Sequence, residues 1–255
     1  LAGLALMLIG FAFKVSAVPF HVWSPDVYQG APSNITAFMA SVGKAGAVAA
    51  MARVLIVALP FHRDDWRPVI WVLAVASLVV GSLLAVVQTD VKRMLAYSSV
   101  AHAGYMLAAL TAVGVWNLGE EALSPAAQEA SEAVLTALLF HLVVLVAFKM
   151  GAFLVLGVLE AEGEVRDDRA LAGLGQRSPM LAVTMFIFML SLAGVPPLSG
   201  FVSKLLVIMG IVKVAAVDVG TSGADIGLLG LDLHWVWGLA LLMVLNSAVS
   251  VYYYL

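Results

Sequence analysis

The chain has 255 residues, of which 63% are hydrophobic and only 11% are charged, and its formal net charge is −3. It contains no cysteine, which excludes disulfides, iron–sulfur ligation and a cysteine nucleophile. The sequence shows no phosphate-binding glycine loop, HExxH pair or nucleophile elbow, and its charge gives no indication of nucleic-acid binding. Apolar runs of about 18 residues or more recur, which predicts a membrane protein.

An all-α polytopic membrane protein is predicted, with about seven spans in a single membrane domain over residues 1–255. Apolar run length places the spans, in chain order, at about 1–20, 35–58, 68–88, 93–115, 133–158, 179–216 and 235–255. The sequence begins and ends within apolar segments. We therefore expect a fragment of a longer subunit, with helices missing at both ends.

Spans one and six are predicted to be broken helices. Span six is too long for one crossing, which needs about 20 residues, and it contains Pro196 and Pro197. Span one ends at Pro19, before a semi-polar stretch. Broken helices are tolerated in a membrane where the backbone is buried in protein or lines a wet cavity. These two run in opposite directions, as in inverted-repeat transporters, although coincidence among frequent membrane prolines is the alternative.

Lysine and arginine in the short loops predict the orientation, because positive residues favour the cytoplasmic side. Loops 89–93 and 160–178 carry five such residues, whereas the 116–132 loop carries only acids. The five are Lys92, Arg93, Arg166, Arg169 and Arg177. We therefore expect these two loops to face the cytoplasm.

Five basic side chains fall where the predicted spans cross the middle of the bilayer: Lys14, Lys44, His102, Lys149 and Lys204. A lysine there costs about 2.5–3.5 kcal/mol, and such residues usually mark an ion or proton route. We interpret all five as proton-translocation residues. No catalytic, cofactor-binding or metal-ligating residue is predicted.

Each assignment has a structural alternative. Lys14 could extend towards the headgroups by snorkelling; as a proton carrier it needs a carboxylate partner from a helix outside this sequence. Lys44, flanked by two glycines, could be paired for structure only. The imidazole of His102 suits a proton shuttle, but a buried structural histidine is the alternative. Lys204 follows the second break, and we interpret it in the same way as Lys14, which precedes the first break.

Lys149 shares span five with His141, eight residues earlier, which places both on about one helix face. A proton relay and a structural pair are both compatible with this spacing. Ser98 and Ser99 lie one turn before His102 and could hold waters or bond to carbonyls of their own helix.

Four motifs resemble the antiporter-like membrane subunits of respiratory complex I, the NADH:quinone oxidoreductase. They are FKVSAVPFHVWSPDVYQGAP at 13–32, DVKRMLAYSS at 90–99, LSLAGVPPLSGFVSK at 190–204 and SAVSVYYY at 247–254. The DVYQGAP form resembles the N-subunit branch, the counterpart of mitochondrial subunit 2. Lys149 departs from that branch, where small or amide residues are expected, and resembles the larger antiporter-like subunits.

The resemblance implies a fourteen-helix, inverted-repeat subunit of which this chain would be helices seven to thirteen. It maps the family's proton-handling lysines onto Lys14, Lys44 and Lys204, and places the acidic partner of Lys14 on an absent helix. It implies a bacterial inner-membrane location and other complex I membrane subunits as partners. NADH, FMN, iron–sulfur clusters and quinone would lie in other subunits, and this chain would have no redox centre.

The predicted function is therefore proton translocation by a subunit of an NADH:quinone oxidoreductase, driven by quinone reduction elsewhere in the complex. One alternative is a subunit of a cation/proton antiporter or a membrane-bound hydrogenase. The other is a scaffold that does not conduct protons, for which the lysines would be dry and tolerant of mutation.

Overall fold

A computed structural model of the protein describes residues 2–113, 125–161, 163, 171–217 and 235–255. Ten helices that contain α-helical turns follow one another in this part of the chain, and we label them α1 to α10. They are α1 (Ala2–Val15), α2 (Trp23–Gly30), α3 (Ser33–Ala58), α4 (Arg63–Val86), α5 (Val91–Ala112), α6 (Pro125–Ala161), α7 (Leu174–Arg177), α8 (Pro179–Ala193), α9 (Ser199–Val217) and α10 (Trp235–Tyr254). Five of them are long and apolar enough to cross a membrane: α3, α4, α6, α9 and α10. The predicted polytopic helix bundle is confirmed.

Helix α5 is the centre of the bundle, and nearly all of its residues are buried. It packs along α4 so closely that a Cβ on Gly81 would lie 2.6 Å from the backbone nitrogen of Ala101. Helix α6 packs against α3, α8 and α9, and α10 closes the bundle against α4 and α9. Polar side chains of α5 therefore face α6 and α10 rather than lipid.

Both predicted breaks are present. The first covers residues 16–22 and contains Pro19, and the second covers residues 194–198 and contains Pro196 and Pro197. The first begins earlier than the proline indicates, because Ser16 already has a left-handed backbone with φ 61°. Gly194 ends α8 with φ 86°, a conformation that glycine adopts without steric cost.

Two loop predictions were wrong. The loop expected at 116–132 is helical from Pro125, because helix-forming residues such as Ala and Glu extend α6 beyond its apolar stretch. Lys92 and Arg93 lie in the first turn of α5, not in a loop. Arg166, Arg169 and residues 116–124 of the orientation prediction lie outside the described residues.

Helix α3 contains a feature that apolar run length does not reveal. Residues Met39–Gly43 and Val54–Ala58 form π-helical turns on either side of the α-helical segment Lys44–Arg53. Such turns are rare and occur frequently at functional sites. The first of them ends immediately before Lys44.

Candidate functional site

Lys149 of α6 lies in a polar pocket formed by the beginning of α5. Its side chain is fully buried, and its Nζ donates to the carbonyl oxygen of Leu95 at 2.8 Å and to the Ser98 hydroxyl. The Tyr254 hydroxyl lies 3.5 Å from the same nitrogen. Helix α5 begins at Val91, so Leu95 is about one turn, or 6 Å, from that helix end. Lys149 is therefore held near the membrane side where α5 begins.

His102 and His141 form a buried pair between α5 and α6. His102 Nδ1 lies 3.3 Å from His141 Nε2, and His141 Nδ1 lies 3.0 Å from the hydroxyl of Ser203. That hydroxyl donates to the Gly200 carbonyl at 2.9 Å, inside the first turn of α9. Because each neutral imidazole has one donor and one acceptor nitrogen, the pair can pass a proton from one ring to the other.

Lys204 reaches back across the second helix break. Its Nζ donates to the carbonyl of Ala193, the last residue of α8, at 2.9 Å, and to Ser250 Oγ of α10 at 3.0 Å. The carbonyls at a helix C-terminus lack helical partners and carry the negative end of the helix dipole. The break at Gly194 therefore provides a favourable site for an ammonium group inside the membrane.

Tyr105 connects the lysine at the break with the histidine pair. Its ring lies 5.5 Å from Lys204 Nζ and 6.0 Å from the rings of His102 and His141. Its hydroxyl donates to the Met243 carbonyl at 2.7 Å and lies 2.7 Å from Ser247 Oγ. The buried polar groups of α5, α6, α9 and α10 thus form two sets of contacts, one around Lys149 and one around the histidine pair and Lys204. Together we call them the central polar cluster: Ser98, His102, Tyr105, His141, Lys149, Ser203, Lys204, Ser247, Ser250 and Tyr254.

Lys44 lies apart from these hydrogen bonds. Its side chain is 1% exposed, and its Nζ has no hydrogen-bond partner among the described residues. The ammonium lies 5.8 Å from the ring centroid of Tyr28, within the range of a cation–π contact. The buried Tyr28 hydroxyl likewise has no partner among the described residues. An unpaired buried polar group is costly, so both groups indicate a place for water.

Lys14 is the one predicted residue whose side chain is not buried. It lies exposed in the last turn of α1 and makes no hydrogen bond or ion pair with the described residues. The break that follows it is held by other contacts. Trp23 Nε1 donates to the Phe13 carbonyl at 3.2 Å, and the Val18 amide donates to Ser77 Oγ at 3.0 Å.

The DVYQGAP motif builds a polar clamp at one end of the bundle, where α2, α3, α5 and α6 meet. Lys92 pairs with Glu160 at 2.8 Å and donates to the Ala31 carbonyl at 2.7 Å, although Lys92 is only 1% exposed. Arg93 pairs with Asp26 at 2.5 Å. The clamp fixes the second half of the first broken helix, and with it Tyr28, against the buried Lys44.

Four of the five predicted residues are therefore buried: Lys44, His102, Lys149 and Lys204. Sequence reasoning named His141 only as a companion of Lys149 and did not find Tyr105, Ser203 or Ser250 as partners. Helical spacing was a signal for two of them, since Tyr105 follows His102 by three residues and Ser250 lies one turn before Tyr254. Ser203 contacts His141 of another helix, and no local signal in the sequence identifies it.

No metal-binding group of three or more histidine or acidic residues occurs among the described residues. Of the four buried lysines, Lys92 pairs with Glu160, whereas Lys44, Lys149 and Lys204 form no ion pair with any described residue. What the arrangement offers chemically is proton binding and exchange, because its groups are amines, imidazoles and hydroxyls joined by hydrogen bonds.

A family model described as NADH:quinone oxidoreductase/Mrp antiporter, TM, matches residues 1–222. NADH-quinone oxidoreductase subunit N of Rhodococcus opacus is 42% identical over all of this chain, which covers 40% of that protein. The chain thus spans less than half of the length of the curated relatives it matches.

Chains of two solved structures also match this chain. A chain of respiratory complex I from Thermus thermophilus with bound aureothin matches with a TM-score of 0.68 and 36% identity, over 98% of this chain and 47% of that one. A chain of the Mrp complex from Dietzia sp. DQ12-45-1b matches with a TM-score of 0.77 and 26% identity, over 98% of this chain and 40% of that one.

Proposed function

Because the chain belongs to the NADH:quinone oxidoreductase/Mrp antiporter membrane family, we propose that it translocates protons as part of an N-type subunit of a bacterial NADH:quinone oxidoreductase. The observation that carries this proposal is the central polar cluster, in which two lysines and two histidines are buried without carboxylate partners among the described residues. A purely structural core would not retain such groups, because each buried ammonium costs several kcal/mol.

In the proposed mechanism protons come from the cytoplasmic side and bind in the region of Lys14 and Lys44. They then pass along His102 and Lys149 and leave through Lys204. Lys149 contacts Leu95 and Ser98 of α5, about 6–10 Å from the beginning of that helix, and His102 lies a further four to seven residues along it, about 6–10 Å deeper. Lys204 occupies the break between α8 and α9. The route therefore follows α5 inwards and leaves through the second broken helix.

Lys14 and Lys44 stay in the proposal as the first site. Moving a carboxylate of the complete subunit towards or away from Lys14 would change the free energy of the proton on both lysines. Lifting one charge against 100 mV requires about 2.3 kcal/mol, which is comparable to the effect of one nearby charge at an effective dielectric constant of about 20. Quinone reduction in other subunits, which would hold the NADH site, FMN and iron–sulfur clusters, would supply this energy.

The antiporter alternative remains because the Mrp complex chain superposes with a TM-score of 0.77. The subunit N relatives favour the NADH:quinone oxidoreductase, since their identity to this chain is 42% against 26% for the Mrp chain. The scaffold alternative predicts that the buried lysines tolerate substitution.

The test is Lys44→Met in the assembled enzyme, with quinone reduction and acidification of sealed vesicles measured together. Lys213→Met is the matched control, because Lys213 is exposed on α9. We expect the Lys44 variant to pump fewer protons for each quinone reduced and the control to match the parent enzyme. Unchanged pumping by Lys44→Met would support the scaffold.

A further inference from the structure

A cavity of about 560 Å³ opens at the end of the bundle where α4 ends and α5 begins. Residues 88–91, including the polar Gln88 and Asp90, line it. It is also lined by α8 as far as Met189 and by the last residues of α10, including Tyr254. Residues of the segment that contains α7 also line it, and the charge pattern of residues 160–178 predicts that this side is cytoplasmic.

Tyr254 is the residue that the cavity shares with the central polar cluster. It is one of the residues that line the cavity, and its hydroxyl lies 3.5 Å from Lys149 Nζ. Lys149 itself is fully buried and does not line the cavity. Its ammonium is held by Leu95 and Ser98 and keeps its third hydrogen directed towards the tyrosine, at the outer limit of hydrogen bonding.

We infer that this cavity is a water-filled inlet and that the Tyr254 hydroxyl transfers protons from its water to Lys149. The inference rests on the proposed function. The phenol oxygen accepts a proton from a hydronium ion in the cavity while its own O–H proton moves to the neutral amine of Lys149. One O–H bond and one N–H bond form, two O–H bonds break, and water leaves. Rotation of the hydroxyl then restores the starting state.

The depth of the cavity along α8 gives a direct test of its water content. Met189 is about 15 Å from the start of α8 and lines the cavity, whereas Ile187 is shallower and is 41% exposed on the outer surface of the helix, away from the cavity. Residues 1–255 contain no cysteine, so an introduced thiol is the only one within this sequence, and its modification is identified on the peptide that carries it. Charged thiosulfonates modify thiolates in water and not thiols in hydrocarbon.

We therefore compare Met189→Cys with Ile187→Cys in the assembled enzyme, with a charged thiosulfonate applied to either face of sealed vesicles. We expect the deeper Met189→Cys to react, from the face on which α10 ends, and the shallower Ile187→Cys not to react. A dry cavity, filled by lipid or by another helix, would leave Met189→Cys unmodified and overturn the inference.

The role of the hydroxyl is tested with Tyr254→Phe, which keeps the ring. Tyr252→Phe is the matched control, because Tyr252 lines the same cavity but is 74% exposed, and Tyr254 is the tyrosine whose hydroxyl lies near Lys149. The decrease in proton pumping in Lys149→Met measures the share of pumping that depends on Lys149. We expect Tyr254→Phe to remove most of that share, since a positioned proton-transfer group contributes about 10²-fold, and Tyr252→Phe to remove none.

The two variants distinguish failure of the proposed inlet from failure of the proposed function. If Lys149→Met loses pumping while Tyr254→Phe retains it, the inlet through Tyr254 is refuted and the proposed function stands. If Lys149→Met pumps like the parent enzyme, Lys149 does not carry protons, and both the inlet and this step of the proposed function are refuted.

Discussion

Replacement of Lys204 by methionine separates proton transfer from stability. Methionine has a similar length and no charge, so Lys204→Met removes the ammonium at the second helix break and keeps most of the packing. Ser250 Oγ lies 2.9 Å from the Ala193 carbonyl and 2.7 Å from the Ser247 carbonyl, and it can donate its single proton to either. The Ala193 carbonyl therefore keeps a neighbouring donor when the substitution removes the proposed proton site.

The expected effect on stability is small. Two hydrogen bonds from the ammonium are lost, at about 1.5–3 kcal/mol each for a charged donor. The variant also avoids the unfavourable free energy of burying that ammonium, which is several kcal/mol. These contributions oppose each other, so we expect the assembled complex to form at normal levels and to keep its thermal midpoint within a few degrees.

The expected effect on proton transfer is large. Without the amine, the barrier for a proton that crosses this part of the membrane rises by the cost of an unassisted charge, about 2.5–3.5 kcal/mol on insertion scales. That corresponds to roughly 100-fold slower passage through this chain. Pumping is measured as vesicle acidification for each quinone reduced, with Lys213→Met on the same helix as the control. Unchanged acidification with normal quinone reduction would refute the assignment of Lys204.

Two further predictions concern the framework. A Cβ on Gly200 would overlap the Ser191 carbonyl, so Gly200→Ala should force α8 and α9 apart and lower the amount of assembled complex. Gly10→Ala, with nothing within 4 Å of its Cβ, should not. Lys92→Met removes the ion pair between Lys92 and Glu160 and should lower the thermal midpoint of the complex. Adding Glu160→Gln should restore part of the loss, and no recovery would contradict the pairing.

The sequence was sufficient for the features that arise locally. Proline and glycine identify both helix breaks, since their backbone chemistry acts wherever they stand. Lysines within apolar runs were recognised because hydrocarbon makes them exceptional. The buried positions of Lys44 and Lys149 follow from the same reasoning, although their proton-carrying role remains a proposal.

Partners distant in the sequence could not be predicted. His102 and His141 are 39 residues apart, and Tyr105 and Ser247 are 142 apart, so their contacts depend on which helix faces pack together. The same holds for Lys92, whose partner Glu160 lies at the far end of α6. Apolar run length gives the existence of a helix but not the rotation about its axis that brings these groups together.

The two broken helices use similar sequences in different ways. At the second break the chain itself supplies the acceptors, because Lys204 follows the break and reaches back to the end of α8. At the first break Lys14 precedes the break, lies exposed, and has no acceptor among the described residues. The carbonyl and the hydroxyl that bind Lys204 hold its ammonium in place, whereas the exposed Lys14 side chain is free to contact a charge from another helix. Within the proposed function, Lys14 is therefore the site suited to receive a signal, and Lys204 the site suited to hold the proton.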